Sequence, residues 1–94
     1  MILVLVEHYL DKSGKEYFDK WINEVRIILN KFKGFQSIEK LEDLEDKERT
    51  LLLLKFENIE LLREWSSSQE HNNMLKLLEK HMVKKQKSQI LRKL

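Results

Sequence analysis

Two spacings of hydrophobic residues divide the chain into predicted strands and helices. Residues 1–10 and 50–56 are short runs rich in leucine and β-branched residues, which are typical of β-strands. Between these runs, apolar residues recur every three or four positions, as they do on one face of an amphipathic helix. The members of this stripe are Phe18, Trp21, Ile22, Val25, Ile28, Leu29 and Phe32. The pattern predicts that a strand and a long helix open the chain.

Local signals predict where this first helix begins and ends. Ser13 and Glu16 have the spacing of a capping box, in which the serine hydroxyl accepts from a backbone N–H and the glutamate reaches back. Gly34 comes just after the stripe, where a glycine often ends a helix because it adopts a left-handed conformation without strain. We therefore expect the helix to lie between Ser13 and Gly34.

Three serines interrupt the second helical pattern. Asn58, a favoured N-cap residue, precedes a short helical segment that ends at Trp65. The serines that follow weaken a helix, because their hydroxyls compete for backbone hydrogen bonds. Ser67 and Glu70 have capping-box spacing, and Ser68 is an alternative cap. A new apolar stripe comprises Met74, Leu75, Leu77, Leu78, His81 and Met82. We predict two helices separated by a capped break.

Two weaker strands complete the predicted fold. Residues 35–43 carry Ile38 and Leu41 among charged residues, which indicates a strand with a bulge between those two positions. Residues 86–94 contain three apolar residues and predict a last, edge-like strand. The order β-α-β-β-α-β indicates an α+β, ferredoxin-like sandwich in a single domain, residues 1–94. It has an antiparallel four-stranded sheet with helices on one face.

The first predicted strand is apolar on both of its faces. Neither set of alternate positions along residues 1–10 is clearly polar, so both sides of the strand require cover. In a chain of 94 residues, one layer of helices covers only one side of a sheet well. We therefore expect a second copy of the chain to cover the other side, which predicts a homodimer.

Composition narrows the class of protein. The absence of cysteine excludes disulfides, thiol catalysis and thiolate metal sites. The apolar N-terminal run lacks a preceding basic segment and is too short to span a bilayer. We therefore expect a cytoplasmic protein without a membrane partner.

Charge does not indicate a nucleic-acid partner. The net charge is only +2, and residues 50–56 offer leucines where an RNA-recognition sheet needs aromatic residues. The charge is nevertheless uneven, since residues 39–48 hold six acidic residues and residues 80–94 hold six Lys or Arg. Either both segments face water, or the basic tail meets the acidic segment within a chain or across a dimer.

The three histidines do not have the spacing of a metal site. His8, His71 and His81 form no His-x-x-x-His pair, and the two glycines make no phosphate-binding loop. We therefore expect neither a metal nor a cofactor. Ser68 and His71 lie one helical turn apart, but no nucleophile-elbow glycines surround the serine. Helix capping by Ser68 is favoured over nucleophilic catalysis.

Both tryptophans allow two interpretations. Trp21 and Trp65 can pack in the core or an interface, or stand at the rim of a cavity where the indole N–H finds a partner. His8 shares one side of the first strand with Val4 and Val6, and a histidine there is more often a satisfied core residue than a catalytic one.

Three short motifs occur in a recognisable order along the chain. They are Tyr17-Phe18-x-x-Trp21 in the first helix, Lys33-Gly34-Phe35 before the second strand, and Trp65-x-x-Ser68-x-Glu70-His71 at the helix break. Together with the predicted topology, they resemble the antibiotic biosynthesis monooxygenase domain of the dimeric α/β-barrel superfamily. The resemblance covers nearly the whole chain.

This resemblance implies a homodimer in which two four-stranded sheets pack face to face. Members that are oxygenases use O2 without metal, haem or flavin, and they hold a phenol or hydroquinone in a cavity between the sheet and the helices. Haem-degrading members carry a histidine ten residues after the tryptophan and an asparagine in the first strand. Those positions are Leu75 and Glu7 here, so haem degradation is disfavoured.

Two functions remain open. The first is a cofactor-independent monooxygenase that acts on a small phenol or hydroquinone, and the second is a non-catalytic, dimeric ligand-binding or structural protein. For catalysis, we expect His71 to hold or exchange a proton, with His8 as the second candidate. Trp21, Trp65 and Ser68 are expected to line the substrate pocket. A cavity roomy and polar enough for an aromatic anion favours the enzyme.

Overall fold

The computed structural model describes all residues 1–94 as four strands and three helices. In chain order these are β1 (Ile2–Leu10), α1 (Lys12–Leu29), β2 (Phe35–Leu41), β3 (Thr50–Phe56), α2 (Ile59–Ser66), α3 (Gln69–Glu79) and β4 (Met82–Arg92). Neighbouring strands pair antiparallel in the order β2-β3-β1-β4. This confirms the predicted α+β, ferredoxin-like sandwich. None of the helices is both long and apolar enough to cross a membrane.

The helices pack on one face of the sheet and bury the core there. Alternate residues of β1 and β3 point towards the helices, as strand geometry requires. The buried residues that β1 and β3 contribute to this face are Ile2, Val4, His8, Leu10, Thr50, Leu52, Leu54 and Phe56. The predicted stripe of α1 packs against them, with Phe18, Trp21, Ile22, Val25 and Leu29 buried and Ile28 and Phe32 partly buried.

Asp11, rather than Ser13, caps the start of α1. The Asp11 carboxylate accepts hydrogen bonds from the backbone N–H of Gly14 at 2.7 Å and from the Ser13 hydroxyl at 2.9 Å. Aspartate is as good an N-cap as serine, and here it directly follows β1 in an extended conformation. The capping box predicted at Ser13 and Glu16 is therefore wrong, and α1 begins at Lys12.

The position of Gly34 after the stripe predicts that this glycine ends α1, but it does not. The helix ends at Leu29 with Asn30 as its C-cap, and Gly34 lies in the turn before β2. Its φ of 86° is left-handed, a conformation that glycine adopts at little cost. A Cβ here would also stand 3.0 Å from the Cβ of Leu61. The glycine therefore permits α2 to approach this turn closely.

The irregularity in β2 lies nearer the start of the strand than predicted. Ile38 and Leu41 both stay in regular register with β3, and the register shifts instead between Phe35 and Ser37. Ile38 is buried beneath the helices, whereas Leu41 points to the opposite face. Their spacing of three residues therefore reflects the two faces of an ordinary strand.

β4 is longer than the sequence pattern predicts. It begins at Met82 rather than at residue 86, because it pairs with β1 along nearly the whole of that strand, from Ile2 opposite Arg92 to Leu10 opposite Met82. Backbone hydrogen bonds between strands do not require apolar side chains, so the polar start of β4 is still extended. β4 lies at an edge of the sheet, as predicted.

The serines break the second helical region, as predicted. The Asn58 side chain caps α2 by accepting from the N–H of Leu61 at 2.9 Å. The Ser68 hydroxyl caps α3 by accepting from the N–H of His71 at 3.1 Å, and it donates to the carbonyl of Trp65 at 2.7 Å. One hydroxyl therefore satisfies backbone groups on both sides of the break.

The other face of the sheet, which we call the open face, carries a patch of leucines. The leucines that point to this side are Leu3, Leu5, Leu41, Leu51, Leu53 and Leu91. Beside them, Arg49 forms ion pairs with Glu7 at 2.8 Å and with Asp43 at 2.9 Å. No helix of the chain packs on this face. Leu51 is buried, but Leu3, Leu5, Leu41 and Leu53 are only partly buried and Leu91 is exposed.

The acidic segment and the basic tail do not form ion pairs within one chain. β2 and β4 lie at opposite edges of the sheet, which separates the two segments. The ion pairs of the acidic segment are Asp43–Arg49, Glu48–Lys15, Glu39–Lys55 and the pair of Lys40 with Asp19. Contact between the segments across a dimer stays a prediction.

Removing the Ser68 hydroxyl should destabilise the fold more than removing that of its neighbour. Ser68→Ala leaves the backbone N–H of His71 without its partner, whereas the Trp65 carbonyl keeps its bond to the Ser68 backbone N–H at 3.1 Å. The loss of an N-cap costs about 0.5–2 kcal/mol of unfolding free energy. Ser67 bonds only the carbonyl of Arg63 from an exposed position, so Ser67→Ala should change stability by less than about 0.5 kcal/mol. Urea denaturation measures the difference, and equal stability of the two variants would contradict the assigned cap.

Candidate functional site

A cavity lies between the helix-covered face of the sheet and the helices. Its volume is about 230 Å³, and 13 of its 19 lining residues are hydrophobic. The lining comprises Val4, Val6, His8, Trp21, Val25, Leu29, Ile38, Leu52, Leu54, Leu62, Arg63, Trp65, Ser66, His71, Met74, Leu75, Gln86, Ser88 and Ile90. Because a cavity of about 150 Å³ holds benzene, this one has room for one or two fused aromatic rings.

His8 lies at the buried end of this cavity. Strand alternation turns its side chain towards the helices, and only 4% of the residue is exposed. Its ring lies 5.3 Å from that of Phe18 and 5.5 Å from that of Trp21. Nδ1 has no hydrogen-bond partner, and burial lowers the pKa of His8 to about 4. The imidazole is therefore neutral at pH 7.

His71 is the second histidine in the cavity lining. It lies in the first turn of α3, where the Ser68 cap holds its backbone, and its ring stands edge-on to Trp65 with centroids 5.1 Å apart. Its Nδ1 is also buried without a partner. Burial lowers the pKa of His71, although the neighbouring Asn72 side chain opposes the shift. Two neutral imidazoles therefore line one cavity at neutral pH.

The tryptophans hold the helices in place around the cavity. Trp21, in α1, donates its indole N–H to the carbonyl of Met74 in α3 at 2.8 Å. Trp65, in the last turn of α2, packs edge to face with Phe32 at a centroid distance of 5.1 Å. Both tryptophans are 4% exposed, and both line the cavity. Core packing and a position beside a cavity were the two interpretations of the tryptophans. Both apply, since each tryptophan packs in the core and also forms part of the cavity wall.

Solved structures of other proteins share this arrangement of strands and helices. A conserved protein from Methanosarcina mazei has a TM-score of 0.84 at 18% identity, covering 98% of this chain and 91% of that one. The "Putative antibiotic biosynthesis monooxygenase" from Nitrosomonas europaea has a TM-score of 0.83 at 14% identity, covering 100% and 99%. A protein given the same name, from Bordetella bronchiseptica, has a TM-score of 0.84 at 13% identity, covering 99% and 96%.

The chain has the antibiotic biosynthesis monooxygenase fold. This confirms the fold that the sequence motifs indicated. Identities this low show the fold alone, and the chemistry of the cavity has to be argued from its own residues. No protein-family model and no curated protein matches the sequence.

Four of the five expected site residues line the cavity within this antibiotic biosynthesis monooxygenase fold. They are His8, His71, Trp21 and Trp65. Ser68 is not among the lining residues, because its hydroxyl is engaged by backbone groups at the helix break. Ser68 was expected to line the pocket, but in the structure it is the N-cap of α3 instead. The third histidine, His81, lies elsewhere, with Nδ1 2.9 Å from the Ser13 hydroxyl.

The sequence pattern does not reveal the polar residues at the mouth of the cavity. Arg63, Ser66 and Ser88 line the cavity and are themselves exposed, which places the mouth between α2 and β4. In the sequence, Arg63 is indistinguishable from an ordinary solvent-facing residue of α2. Gln86 and Ser88 do alternate with lysine and glutamine along β4, but alternation alone does not show which set faces the helices. No group of three or more His, Cys, Asp or Glu side chains is placed to hold a metal ion.

His8 should make the fold sensitive to acid. Its folded-state pKa of about 4 lies below the ordinary value of 6.5, so the unfolded chain binds a proton at this residue at higher pH than the folded chain does. Stability is then greatest above pH 6.5 and falls as the pH decreases towards 4, by about 3 kcal/mol in total.

The His8→Gln variant, which cannot titrate at this position, tests that assignment. Urea denaturation at pH 7, 5.5 and 4.5 should show a shallower loss of unfolding free energy in the variant than in the unmodified protein. The comparison of slopes is independent of any constant stability change caused by the substitution. Identical slopes in the two proteins would mean that His8 is not buried in its neutral form.

Proposed function

We propose that the protein is a monooxygenase that acts, without a cofactor, on a small phenol or hydroquinone bound in the cavity. The observation that carries this proposal is the pair of neutral imidazoles, His8 and His71, in the wall of a largely apolar cavity. An aromatic ring suits the apolar wall, and a hydroxyl group suits an imidazole whose Nδ1 has no partner in the protein. The name antibiotic biosynthesis monooxygenase, given to a protein of this fold, supports monooxygenase activity.

The proposed reaction begins when a neutral imidazole accepts the proton of the phenolic hydroxyl. The resulting phenolate is electron-rich and transfers electrons to O2, which enters the apolar cavity readily. For 2-naphthol, one O2 gives 1,2-naphthoquinone and one water. The C1–H bond breaks, one atom of O2 forms the new carbonyl, and the other leaves as water. The ring supplies all four electrons, so no external reductant is required.

His71 suits the role of base better than His8 does. Burial lowers the pKa of His8 to about 4, far from the value of about 10 that is typical of a phenol. His71 is only partly buried, so its protonated form keeps more of its hydration. We therefore assign the proton transfer to His71, and to His8 a hydrogen bond with a substrate or product oxygen at the buried end of the cavity.

A non-catalytic, ligand-binding role is the alternative. The low pKa of His8 favours it, because such a weakly basic imidazole can bind a hydroxyl group without deprotonating it. If His71 behaves in the same way, the cavity binds an aromatic molecule and releases it unchanged.

Replacing His71 should stop turnover without unfolding the protein. His71→Ala removes the proposed base, and the loss of a general base slows a reaction by about 100-fold or more. His81→Ala makes the same substitution outside the cavity and should retain activity. The assay follows 1,2-naphthoquinone formed from 2-naphthol under ¹⁸O2 by mass spectrometry, with one labelled oxygen expected per quinone. Thermal melting verifies that both variants are folded.

Other outcomes of the same experiment lead to different conclusions. Turnover that is unchanged in His71→Ala would remove this residue from the mechanism. Binding of 2-naphthol to the unmodified protein by calorimetry, with no labelled quinone, would support the ligand-binding alternative. The absence of both binding and turnover would contradict a site in this cavity.

We also propose that two copies of the chain pair through the open face of the sheet. Leu5 and Leu53 lie opposite each other on β1 and β3, the two central strands, and so lie near the middle of the leucine patch. Contiguous apolar patches of this kind mark interaction surfaces in soluble proteins. A second copy presents the same leucines about a two-fold axis, as the resemblance to the dimeric α/β barrels implies.

A charge in the leucine patch should disrupt this dimer. Leu5→Lys would bury an unpaired ammonium group in the interface, at a cost of roughly 3–5 kcal/mol. Ile27→Lys places the same charge on α1, at a side chain that is 65% exposed, and should leave the assembly intact. Sedimentation velocity at micromolar concentration should give about twice the 11.5 kDa chain mass for the unmodified protein and the Ile27 variant. A monomeric unmodified protein would disprove the pairing.

A further inference from the structure

Arg63 is the single ionised residue among those that line the cavity. The other lining residues are apolar, are hydroxyl or amide side chains, or are the two histidines that burial keeps neutral. None of the ion pairs in the chain includes Arg63, so its guanidinium group has no carboxylate partner within the protein. The positive charge is therefore available to a ligand.

The polarity of the cavity changes from its buried end to its mouth. His8, Trp21 and Leu29 are almost fully buried, whereas Arg63 and Ser66 are exposed. A charged group of a ligand would lose its hydration at the buried end and find only neutral partners there, which is unfavourable. At the mouth the same group stays partly hydrated and meets a guanidinium. An acidic substituent of a ligand therefore belongs at the mouth.

We infer that the cavity selects hydroxylated aromatic molecules that carry a carboxylate, and that Arg63 positions them by binding this carboxylate at the mouth. The inference rests on the proposed function, because it names the substrate class of the same cavity. A guanidinium presents two parallel N–H groups that match the two oxygens of a carboxylate. Binding at that point leaves the aromatic ring in the apolar part of the cavity and directs its hydroxyl group inwards, towards the imidazoles.

Arg63 also has a purely structural role open to it. It lies in the last turn of α2, where a positive charge interacts favourably with the C-terminal end of the helix dipole. That role alone would make the residue matter for stability but not for the choice of ligand. The test therefore has to measure a preference between ligands, which a structural role does not change.

Two probes that differ only in a carboxylate make this measurement. 2-Naphthol and 6-hydroxy-2-naphthoate share the two fused rings and the hydroxyl group, and the carboxylate of the second stands at the opposite end of the ring system. Titration calorimetry at pH 7.5 and low ionic strength gives both dissociation constants for the full-length protein. We expect the carboxylate probe to bind about tenfold more tightly or better, since hydrogen bonds between charged groups exceed neutral ones by such a margin.

Variants at Arg63 test whether the preference for the carboxylate probe depends on this residue. Arg63→Gln should reduce the ratio of the two dissociation constants to about one, and Arg63→Lys should restore part of it because the charge is retained without the paired N–H groups. Lys76→Gln removes one positive charge from α3 outside the cavity and should keep the full ratio. Raising the salt concentration should weaken binding of the carboxylate probe and not that of 2-naphthol.

The results that contradict the inference can be distinguished from those that contradict the proposed function. Equal affinity of the two probes for the unmodified protein would overturn the inference while leaving the proposed function in place. A preference that persists in Arg63→Gln would also overturn it, and lower stability with that preference intact would identify Arg63 as a helix-end cation only. If neither probe binds, the inference and the proposed site fail together.

Discussion

The two hydrogen bonds of the Ser68 hydroxyl are the interaction on which the cavity wall depends. They hold the carbonyl of Trp65 and the backbone N–H of His71, so that α2 ends and α3 begins within a few residues. On a continuous helix, two residues six positions apart project about 120° from each other around the axis. Because the helix is broken and capped instead, the rings of Trp65 and His71 meet edge to face, with centroids 5.1 Å apart, and line the same cavity. A local capping preference thus creates a tertiary feature.

The apolar wall of the cavity determines both the charge of its histidines and the ligand that suits it. Removing an imidazole from water disfavours the protonated form, so His8 and His71 are neutral where an exposed histidine would be partly charged. A neutral imidazole in an apolar wall suits a hydroxylated aromatic ring and not a cation. Arg63 at the mouth adds the one fixed charge. The cavity is therefore apolar and uncharged at its buried end and positively charged at its mouth. This arrangement suits a ligand whose aromatic ring enters first.

Elements whose evidence is local were predicted well, and those that depend on a neighbour were not. The long stripe of α1 and the serine break rest on side-chain spacing and capping chemistry, and both are present. The Asp11 cap of α1 was missed because Asp11 and Ser13, two positions apart, are both favoured N-cap residues. Gly34 was assigned to the helix end, whereas its left-handed conformation serves the close approach of Leu61 from α2. The early start of β4 at Met82 follows from pairing with β1, which no pattern within β4 indicates.

The sequence by itself determined the order of strands and helices, the two apolar sides of β1, and the fact that His8 shares one side of that strand with Val4 and Val6. These follow from periodicity, since successive residues of a strand point to opposite faces and a slip of one residue would exchange them all. Only the tertiary structure decided that His8 and His71, distant in the chain, line one cavity, that Ser68 is a cap rather than part of the wall, and that Arg63 stands at the mouth. The physical reason is that periodicity specifies which face of an element is buried, whereas the docking of one element on another specifies what that face surrounds.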